Sequence, residues 1–489
     1  MALNYGSQAW VALMGLLFVP LYIRFLGNEA YGLIGFFTAV SVLLHTISMG
    51  IVPTLTREMT KIGDGTGKDK NILDLKFTFE LSAIIGSVGI FLLFYFLSDF
   101  IAKDWLKPDN ISSSIVVHAV QLMGLIISIR LVEAVYRSSL IGLGQISSFA
   151  IVSSSMATLR GVGAIIVLYF TDGSLLAFFS WNFITTFATL VILKVLVTKI
   201  LKPLDVTGNF SIASLAKVKR FALGMMVVSV TGSIYSQVDK FILSGLMPLG
   251  QYGGYIISAN LAAVIFMAVS PLTQAIFPEL SKFYFNNKRD DFKQLYIWSI
   301  KLVVLLSGSM GFCMVFNASE VLEIWTGNSS INPLLEMVFV LLCISSVFNS
   351  LSWIPQQAQF AFGQTSTTVK INLTLFFVLL SLLPYTYANF DALGCAALVL
   401  LSNIGYSSFY FFITKRYFVK TDFLDFCKNA VVLPIFASCI LALFFRLIFL
   451  QVELPSIFEL MVSAILSVTF LLLVFGYFKS TKFAKSSTP

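Results

Sequence analysis

Fourteen stretches of about 20 mostly apolar residues follow one another along this 489-residue chain, and they limit its fold more than any other feature. Apolar residues make up 57% of the sequence and charged residues only 11%, too few to cover the surface of a water-soluble globule. In a bilayer, such stretches fold as helices that satisfy their own backbone hydrogen bonds. We therefore expect an all-α, multi-pass membrane protein and exclude soluble enzymes, secreted factors and nucleic-acid-binding proteins. The predicted spans are residues 3–23, 32–52, 77–97, 114–136, 147–170, 174–197, 221–246, 253–276, 297–317, 335–354, 370–388, 392–414, 429–449 and 456–478.

Lysine and arginine are concentrated in the even-numbered connections between these spans. Five basic residues lie between spans two and three, five between spans six and seven, and four between spans eight and nine. The odd-numbered connections carry mainly acids, among them Asp104, Asp172 and Asp391. Because cytoplasmic loops are enriched in Lys and Arg, this asymmetry predicts that both termini are cytoplasmic.

The chain also contains a weak internal repeat, which predicts its domain organisation. A shift of 221 residues places Tyr31-Gly32 on Tyr252-Gly253, and a shift of 219 places Gly144-Gln145 on Gly363-Gln364 and Asp172 on Asp391. Spans one to six then correspond to spans seven to twelve, as in transporters built from two repeats. We expect two pseudo-symmetric six-helix lobes, with two additional helices at the C-terminal end. The predicted boundaries are 1–197 and 221–418 for the lobes, 198–220 for a cytoplasmic linker, and 419–489 for the last two helices and a cytoplasmic tail.

Several ionisable residues lie inside predicted spans, where a charge costs at least about 2.5–3.5 kcal/mol and therefore faces protein or water. Arg130, Glu133 and Arg137 share one face of span four by their spacing, either as a self-neutralising ladder or as a binding surface. Arg160 lies near the middle of span five with no acid within a turn. A guanidinium binds phosphate in a bidentate manner, so Arg160 is the leading candidate for a ligand contact. Pairing with Glu133 is the alternative.

Span seven carries an adjacent acid and base, Asp239 and Lys240. Neighbouring residues point about 100° apart on a helix, so one of them can serve an ion while the other meets an anionic substrate. His45 in span two is either a further titratable group or a hydrogen-bonded histidine of the core. Arg24, near the end of span one, is expected either to guard the exterior mouth or to anchor the helix at the interface.

No sequence pattern of an active site, a metal centre or a cofactor site is present. Nucleotide-binding, metalloprotease and hydrolase motifs are absent, and the five cysteines show no C-x-x-C or Cys/His spacing. The loops are too short for a separate catalytic domain. We expect no catalytic residues, no metal and no cofactor, and uphill transport would draw on an ion gradient, the membrane potential or product removal.

Two segments resemble a known family. The segment YIRFLGNEAYG at residues 22–32 resembles the first-loop signature of the polysaccharide biosynthesis (O-antigen flippase) family, and VDKFILS at 238–244 with GQY at 250–252 resembles the start of its second half. The resemblance implies the fold of the multidrug/oligosaccharidyl-lipid/polysaccharide exporter superfamily. It also implies a flippase that moves an undecaprenyl-pyrophosphate-linked oligosaccharide across the bacterial inner membrane by alternating access, coupled to H⁺ or Na⁺.

On this interpretation a cationic cleft binds the pyrophosphate, and nearby titratable groups carry the coupling ion. The candidate cleft residues are Arg24, Arg130, Arg160 and Lys240, and the coupling candidates are Glu133, Asp239 and His45. Expected partners are the lipid-linked oligosaccharide, membrane lipids, and the polysaccharide polymerase and chain-length machinery. A peptidoglycan-precursor flippase remains open, as does a multidrug exporter, although span one lacks the acid that such an exporter favours. A membrane glycosyltransferase or polymerase would need longer exterior loops.

Overall fold

The computed structural model describes residues 2–63, 70–202, 208–327, 331–418 and 423–449, and all regular structure in these ranges is helical. The predicted all-α class is confirmed. The helices are α1 Ala2–Leu17, α2 Val19–His45, α3 Ser48–Gly63, α4 Lys70–Phe100, α5 Ser113–Gly142, α6 Ile146–Phe170, α7 Leu175–Leu201, α8 Ile212–Leu246, α9 Leu249–Phe285, α10 Arg289–Phe316, α11 Ala318–Thr326, α12 Pro333–Leu351, α13 Trp353–Ala361, α14 Thr365–Phe418, α15 Phe423–Cys427 and α16 Leu433–Phe449, with π-helical turns at Ile101–Trp105 and Lys428–Val432.

Within the described residues, ten helical segments are long and apolar enough to cross a membrane. Their outer faces are strongly apolar. In the most apolar stretch of Lys70–Trp105 only 17% is buried inside the protein. Phe170, at the end of α6, is 79% exposed. Exposed aromatic faces of this kind are stable in lipid and not in water. The multi-pass membrane character is therefore confirmed. The total of fourteen spans and the orientation of the termini stay predictions, and the fourteenth span, 456–478, lies outside the described residues.

Two positions with positive φ divide long helices where the sequence predicted span boundaries. Gly27, with φ 82°, interrupts α2 between the first two predicted spans, and glycine adopts this conformation without a steric cost. Asp391, with φ 55°, interrupts α14 between the eleventh and twelfth spans, and its Oδ1 accepts the N–H of Ala392 at 2.8 Å. The predicted second span, 32–52, is made from two helices, because α2 ends at His45 and α3 begins at Ser48.

The repeat predicted from the sequence is visible in two matched turns. Gly144 and Gly363 both have positive φ, 77° and 73°. The N–H of Gln145 bonds to the carbonyl of Leu140 at 3.1 Å, and the N–H of Gln364 bonds to that of Gln359 at 3.0 Å, again 219 residues later. Asp172 and Asp391, the other pair related by this shift, also share positive φ. The matched turns support the repeat and fix the register between α5 and the α12–α13 pair.

The first of two compact units comprises residues 1–253. In this unit α5 packs against α3, α4 and α7, while α6 packs against α1 and α7, and α8 packs against α2 and α3. Its core contains the fully buried side chains of Leu55, Met59, Val135 and Leu193. A central α5 explains why the apolar residues of this helix are distributed around its circumference and not along one stripe.

The second unit comprises residues 254–489, with a described part that ends at residue 449. Here α10 packs against α12 and α16, and α12 packs against α14. Its core includes Val269, Val304, Ile354 and Ala430. The domain boundaries expected from the repeat, 1–197, 198–220, 221–418 and 419–489, stay predictions.

Candidate functional site

The charged face of α5 lies inside the first unit, near the middle of that helix. Arg130 is 17 residues from the start of α5, about 25 Å along the axis at 1.5 Å per residue. The side chains of Arg130, Glu133 and Arg137 are all half-buried. The guanidinium of Arg130 lies over the ring of Phe37 in α2, with 5.4 Å between Cζ and the ring centroid. This cation–π contact holds the arginine side chain without neutralising its charge.

Arg160 in α6 joins the same charged group. Its charge interacts electrostatically with Arg130, Glu133 and the hydroxyl of Tyr22. Its Nε is buried and has no hydrogen-bond partner. A buried guanidinium nitrogen without a partner loses the hydrogen bonds that it makes in water, and such a group in a native protein calls for a ligand, a water or an ion.

Two glycines next to Arg160 allow aromatic rings to approach the backbone of α6 closely. A Cβ on Gly161 would lie 2.2 Å from the ring of Phe18, and a Cβ on Gly163 would lie 2.2 Å from the ring of Trp181. The indole N–H of Trp181 also donates to the carbonyl of Leu159 at 3.3 Å. The rings therefore pack directly on α6 on either side of Arg160, so the helix is held rigidly where the charge projects.

His45 connects the charged face of α5 to a small cavity lined by both polar and apolar residues. Its Nε2 lies 3.4 Å from Nη2 of Arg137, and its Nδ1 lies 3.2 Å from Oγ of Ser48. The cavity of about 60 Å³ is larger than a water requires. Its lining residues are Ser41, Leu44, His45, Ser48, Ile90, Ile127, Arg130 and Leu131. The hydroxyl of Ser41 is buried there without a partner, which indicates room for water or another polar group.

The charges of this arginine cluster, defined as Arg130, Arg137 and Arg160, do not cancel. Glu133 is the acid that interacts with all three. Among the described residues, none of these guanidiniums forms an ion pair within 4.0 Å of a carboxylate. Neither Arg160 nor the arginines of α5 thus form a direct ion pair with Glu133, although Glu133 offsets part of their charge, and the ladder and the binding surface both stay open as interpretations. Three guanidiniums around one carboxylate leave a surplus of positive charge in the transmembrane region, a good environment for a multiply charged anion.

A second half-buried acid in this unit is fully engaged. Glu80 in α4 accepts a hydrogen bond from the hydroxyl of Tyr136 and pairs with Lys76 at 2.6 Å. The Lys76 ammonium also lies 5.1 Å from the centroid of the Tyr136 ring. Glu80 thus has a direct ion pair with Lys76, whereas Glu133 acts on its three arginines without a direct pair.

The remaining predicted site residues lie elsewhere in the first unit. Arg24 is exposed, three residues before the break at Gly27. Asp239 is 8% exposed and its charge interacts with the hydroxyl of Tyr252, near the start of α9, while Lys240 is half-buried. The structure thus brings Arg130, Arg160, Glu133 and His45 together, and shows no contact that joins Arg24 to them. The roles assigned to all seven residues stay predictions.

Sequence reasoning missed Glu29, whose buried carboxylate accepts backbone N–H groups from Asp109, Asn110 and Ile111 at 2.7–3.3 Å. The available signal was an acid that follows Gly27 in an apolar stretch without a nearby base. It also missed the contributions of Tyr22 and Phe37, because only the folded structure shows which aromatic rings meet the arginines. In the described part of the chain, no group of His, Cys, Asp and Glu side chains is placed to hold a metal ion.

Comparison with known proteins decides the family. The family model described as "Polysaccharide biosynthesis protein" matches residues 2–284. This chain belongs to that family. A Shigella flexneri protein described as "Putative O-antigen transporter" is 24% identical over 398 residues, which are 80% of this chain and 91% of the relative.

Solved structures show the fold. A multidrug resistance MATE family transporter of the MOP superfamily, in an inward-facing conformation, matches with a TM-score of 0.71 at 12% identity and covers 86% of this chain and 96% of its own. The lipid II flippase MurJ, in an inward closed conformation, matches with a TM-score of 0.70 at 13% identity over 97% and 99% of the two chains. The expected superfamily fold is confirmed. The Shigella relative and these structures are described as transporters or flippases, and none of the three is described as an enzyme.

Proposed function

We propose that this protein moves an undecaprenyl-pyrophosphate-linked oligosaccharide repeat unit from the cytoplasmic to the periplasmic leaflet of the bacterial inner membrane by alternating access. The observation that supports this most directly is the arginine cluster, in which Nε of Arg160 is buried without a partner. The family and the O-antigen transporter relative point to the same class of cargo.

The cargo creates a specific physical problem that the cluster can solve. A pyrophosphate carries several negative charges and loses its hydration on entering the hydrocarbon region, at a cost of many kcal/mol. Guanidinium groups stay charged and offer paired N–H donors that match phosphate oxygens. Arg130 and Arg160 approach from α5 and α6, so the diphosphate can be held between two helices while the polyprenyl chain stays in lipid.

Coupling to H⁺ or Na⁺ is part of the proposal. Glu133 interacts with the arginine cluster without a direct ion pair, and His45 contacts Arg137. An anion that binds these arginines changes the field at both titratable groups, which links cargo binding to ion binding. Asp239 is the coupling candidate outside the cluster, and Lys240 and Arg24 are the candidates for further cargo contacts along the path. The product would pass to the polysaccharide polymerase and chain-length machinery.

Two other cargoes fit parts of the structure. A peptidoglycan lipid precursor carries the same pyrophosphate and polyprenyl groups, so the arginine cluster fits it equally well, and the fold matches a lipid II flippase. A multidrug exporter has the same fold, but any cationic drug would be repelled by the surplus arginines. The O-antigen transporter relative favours the glycan cargo over both.

Replacement of Arg160 by Ala in cells that depend on this protein tests the proposal. We expect surface polysaccharide to fall at least about tenfold, because loss of a charged hydrogen bond costs about 1.5–3 kcal/mol. Lipid-linked oligosaccharide should accumulate on the cytoplasmic side while the protein level stays normal. Arg289→Ala, an exposed arginine at the start of α10, is the control and should export normally.

The same cells separate the alternatives. Deletion of the gene should remove the surface polysaccharide and leave growth intact if the cargo is a polysaccharide repeat unit. Growth arrest with accumulation of the peptidoglycan lipid precursor would identify the other lipid-linked cargo. Normal export by both Arg160→Ala and Arg130→Ala would refute a role for the arginine cluster.

A further inference from the structure

The internal repeat relates the arginines of α5 to two carboxamides in the second unit. The matched turns at Gly144 and Gly363 fix the register at 219 residues. This shift places Arg130 on Asn349 and Arg137 on Gln356. The positions that carry surplus charge in the first repeat are therefore neutral in the second.

Asn349 and Gln356 form a half-exposed ridge with Trp353. Their spacing of four and three residues places all three on one face of the α12–α13 pair, and each is half-buried. The indole N–H of Trp353 donates to Oδ1 of Asn349 at 3.3 Å. The indole ring also contacts the ring of Phe266, with centroids 4.6 Å apart. We call Asn349, Trp353 and Gln356 the amide ridge.

Buried side chains of α14 hold the two ends of the amide ridge. Nδ2 of Asn349 donates to Oδ1 of Asn403 at 2.9 Å, and Asn403 in turn donates to a serine hydroxyl of α12. Nε2 of Gln356 lies 3.3 Å from the hydroxyl of Tyr406 and 3.4 Å from that of Tyr410. These tyrosine hydroxyls donate onward to Asn372 and Thr368, each at 3.0 Å. The ridge is therefore oriented by a continuous network and not by solvent.

The chemistry of the amide ridge is neutral, polar and aromatic. A carboxamide offers both donors and acceptors, and an indole offers a flat apolar face with one N–H. Hydroxyl groups and the C–H faces of sugar rings are complementary to this combination, whereas an ion gains little from it. One turn beyond Gln356, both polar atoms of the Gln359 side chain are buried without a partner, so hydrogen-bonding capacity remains unused beside the ridge.

We propose that the amide ridge binds sugar residues of the transported glycan. The assignment rests on the proposed function, since it requires a cargo that carries sugars. Asn349 and Gln356 occupy the positions that correspond, in the sequence repeat, to the arginines Arg130 and Arg137 of the first unit.

Binding to the full-length protein in lipid nanodiscs tests this assignment with two probes. One is undecaprenyl pyrophosphate, and the other is the pool of lipid-linked oligosaccharides extracted from the source cells. Wild-type protein should bind the second more tightly. Gln356→Leu should lose at least about fivefold of that preference, the equivalent of one hydrogen bond, while it binds undecaprenyl pyrophosphate normally.

Controls keep the test decisive. Gln357→Leu makes the same chemical change about 100° around the helix and should retain the preference. Trp353→Leu should lose the preference and Trp353→Phe should keep most of it, because the ring survives. Normal binding of undecaprenyl pyrophosphate shows that a variant is folded.

The outcomes separate the two proposals. If folded ridge variants keep the wild-type preference for the sugar-bearing lipid, the amide ridge has only a structural role and the assignment is wrong. If wild-type protein binds neither probe better than an uncharged polyprenol, the proposed function itself fails. A preference lost in Gln356→Leu and retained in Gln357→Leu supports both.

Discussion

Gly32 and Gly253, two residues related by the 221-residue repeat, pack directly against each other. A Cβ on Gly32 would lie 3.3 Å from Cα of Gly253 and 2.6 Å from the carbonyl oxygen of Leu249. A Cβ on Gly253 would lie 2.0 Å from the carbonyl oxygen of Asn28. Close backbone approach at small residues is a common way for helices to associate in membranes, where no hydrophobic force drives them together.

This contact predicts that Gly253→Ala destabilises the protein. The added methyl group meets a backbone oxygen that cannot move aside, and overpacking of this kind typically costs about 1–3 kcal/mol. The midpoint of thermal unfolding in detergent should fall. Gly250→Ala, in the same helix, is the control because a Cβ there meets nothing within 4 Å, and its midpoint should stay unchanged or rise. Equal midpoints for the two variants would contradict the prediction.

Most of the helices could be predicted from the sequence because membrane spans need long apolar stretches and little else. The breaks at Gly27 and Asp391 were also foreseen as span boundaries. The junction between α2 and α3 was not, because Ser48, whose hydroxyl bonds to the carbonyl of His45 at 2.6 Å, lies inside a stretch with the length and composition of one span. Serine in such a run is also compatible with an unbroken helix.

The candidate site was only partly predictable. Helical spacing places Arg130 and Glu133 on one face, and that spacing permits an ion pair. Whether the pair forms depends on the neighbouring helices, and here Arg130 lies over Phe37 instead. Contacts between helices that are distant in the sequence, such as that of Arg130 with Phe37, are invisible to local patterns.

The hydrogen bonds of the Glu29 carboxylate predict that its replacement destabilises the connection before α5. Its carboxylate accepts the N–H groups of Asp109, Asn110 and Ile111, and Glu29→Gln replaces one of the accepting oxygens by a donor. Loss of acceptors for these partly buried N–H groups costs at most about 1–3 kcal/mol, so the connection should open more often. Limited proteolysis should cleave residues 106–112 faster in the variant.

The matched control is Glu279→Gln. The Glu279 carboxylate is 54% exposed and lies 3.9 Å from Lys282, and exposed pairs of this kind contribute at most about 1 kcal/mol. This variant should be cleaved like the wild type. Unchanged cleavage in Glu29→Gln would show that the carboxylate does not hold the connection.

The ion pair between Arg446 and Glu320 predicts that α16 and α11 stabilise each other. Its guanidinium pairs with Glu320, with side chains that are 18% and 30% exposed. Arg446→Leu and Glu320→Leu should each lower the thermal midpoint, because each removes an ion pair whose two side chains are largely shielded from water. The double variant should be less destabilised than the sum of the single variants, and strict additivity would exclude the pair as a stabilising contact.

The position of the Glu133 carboxylate beside the arginine cluster predicts that its removal has opposite effects on cargo binding and on transport. Glu133→Gln removes the negative charge that interacts with Arg130, Arg137 and Arg160, so the cluster attracts an anion more strongly. We expect undecaprenyl pyrophosphate to bind up to about tenfold more tightly, equivalent to about 1.4 kcal/mol, and export to slow because release is slower. Nanodisc binding assays measure the first effect, and the amount of surface polysaccharide measures the second.

The control is Asp99→Asn, which changes an exposed acid paired with Lys103 and should alter neither binding nor export. Weaker binding in Glu133→Gln would mean that this carboxylate positions the arginines and does not offset their charge.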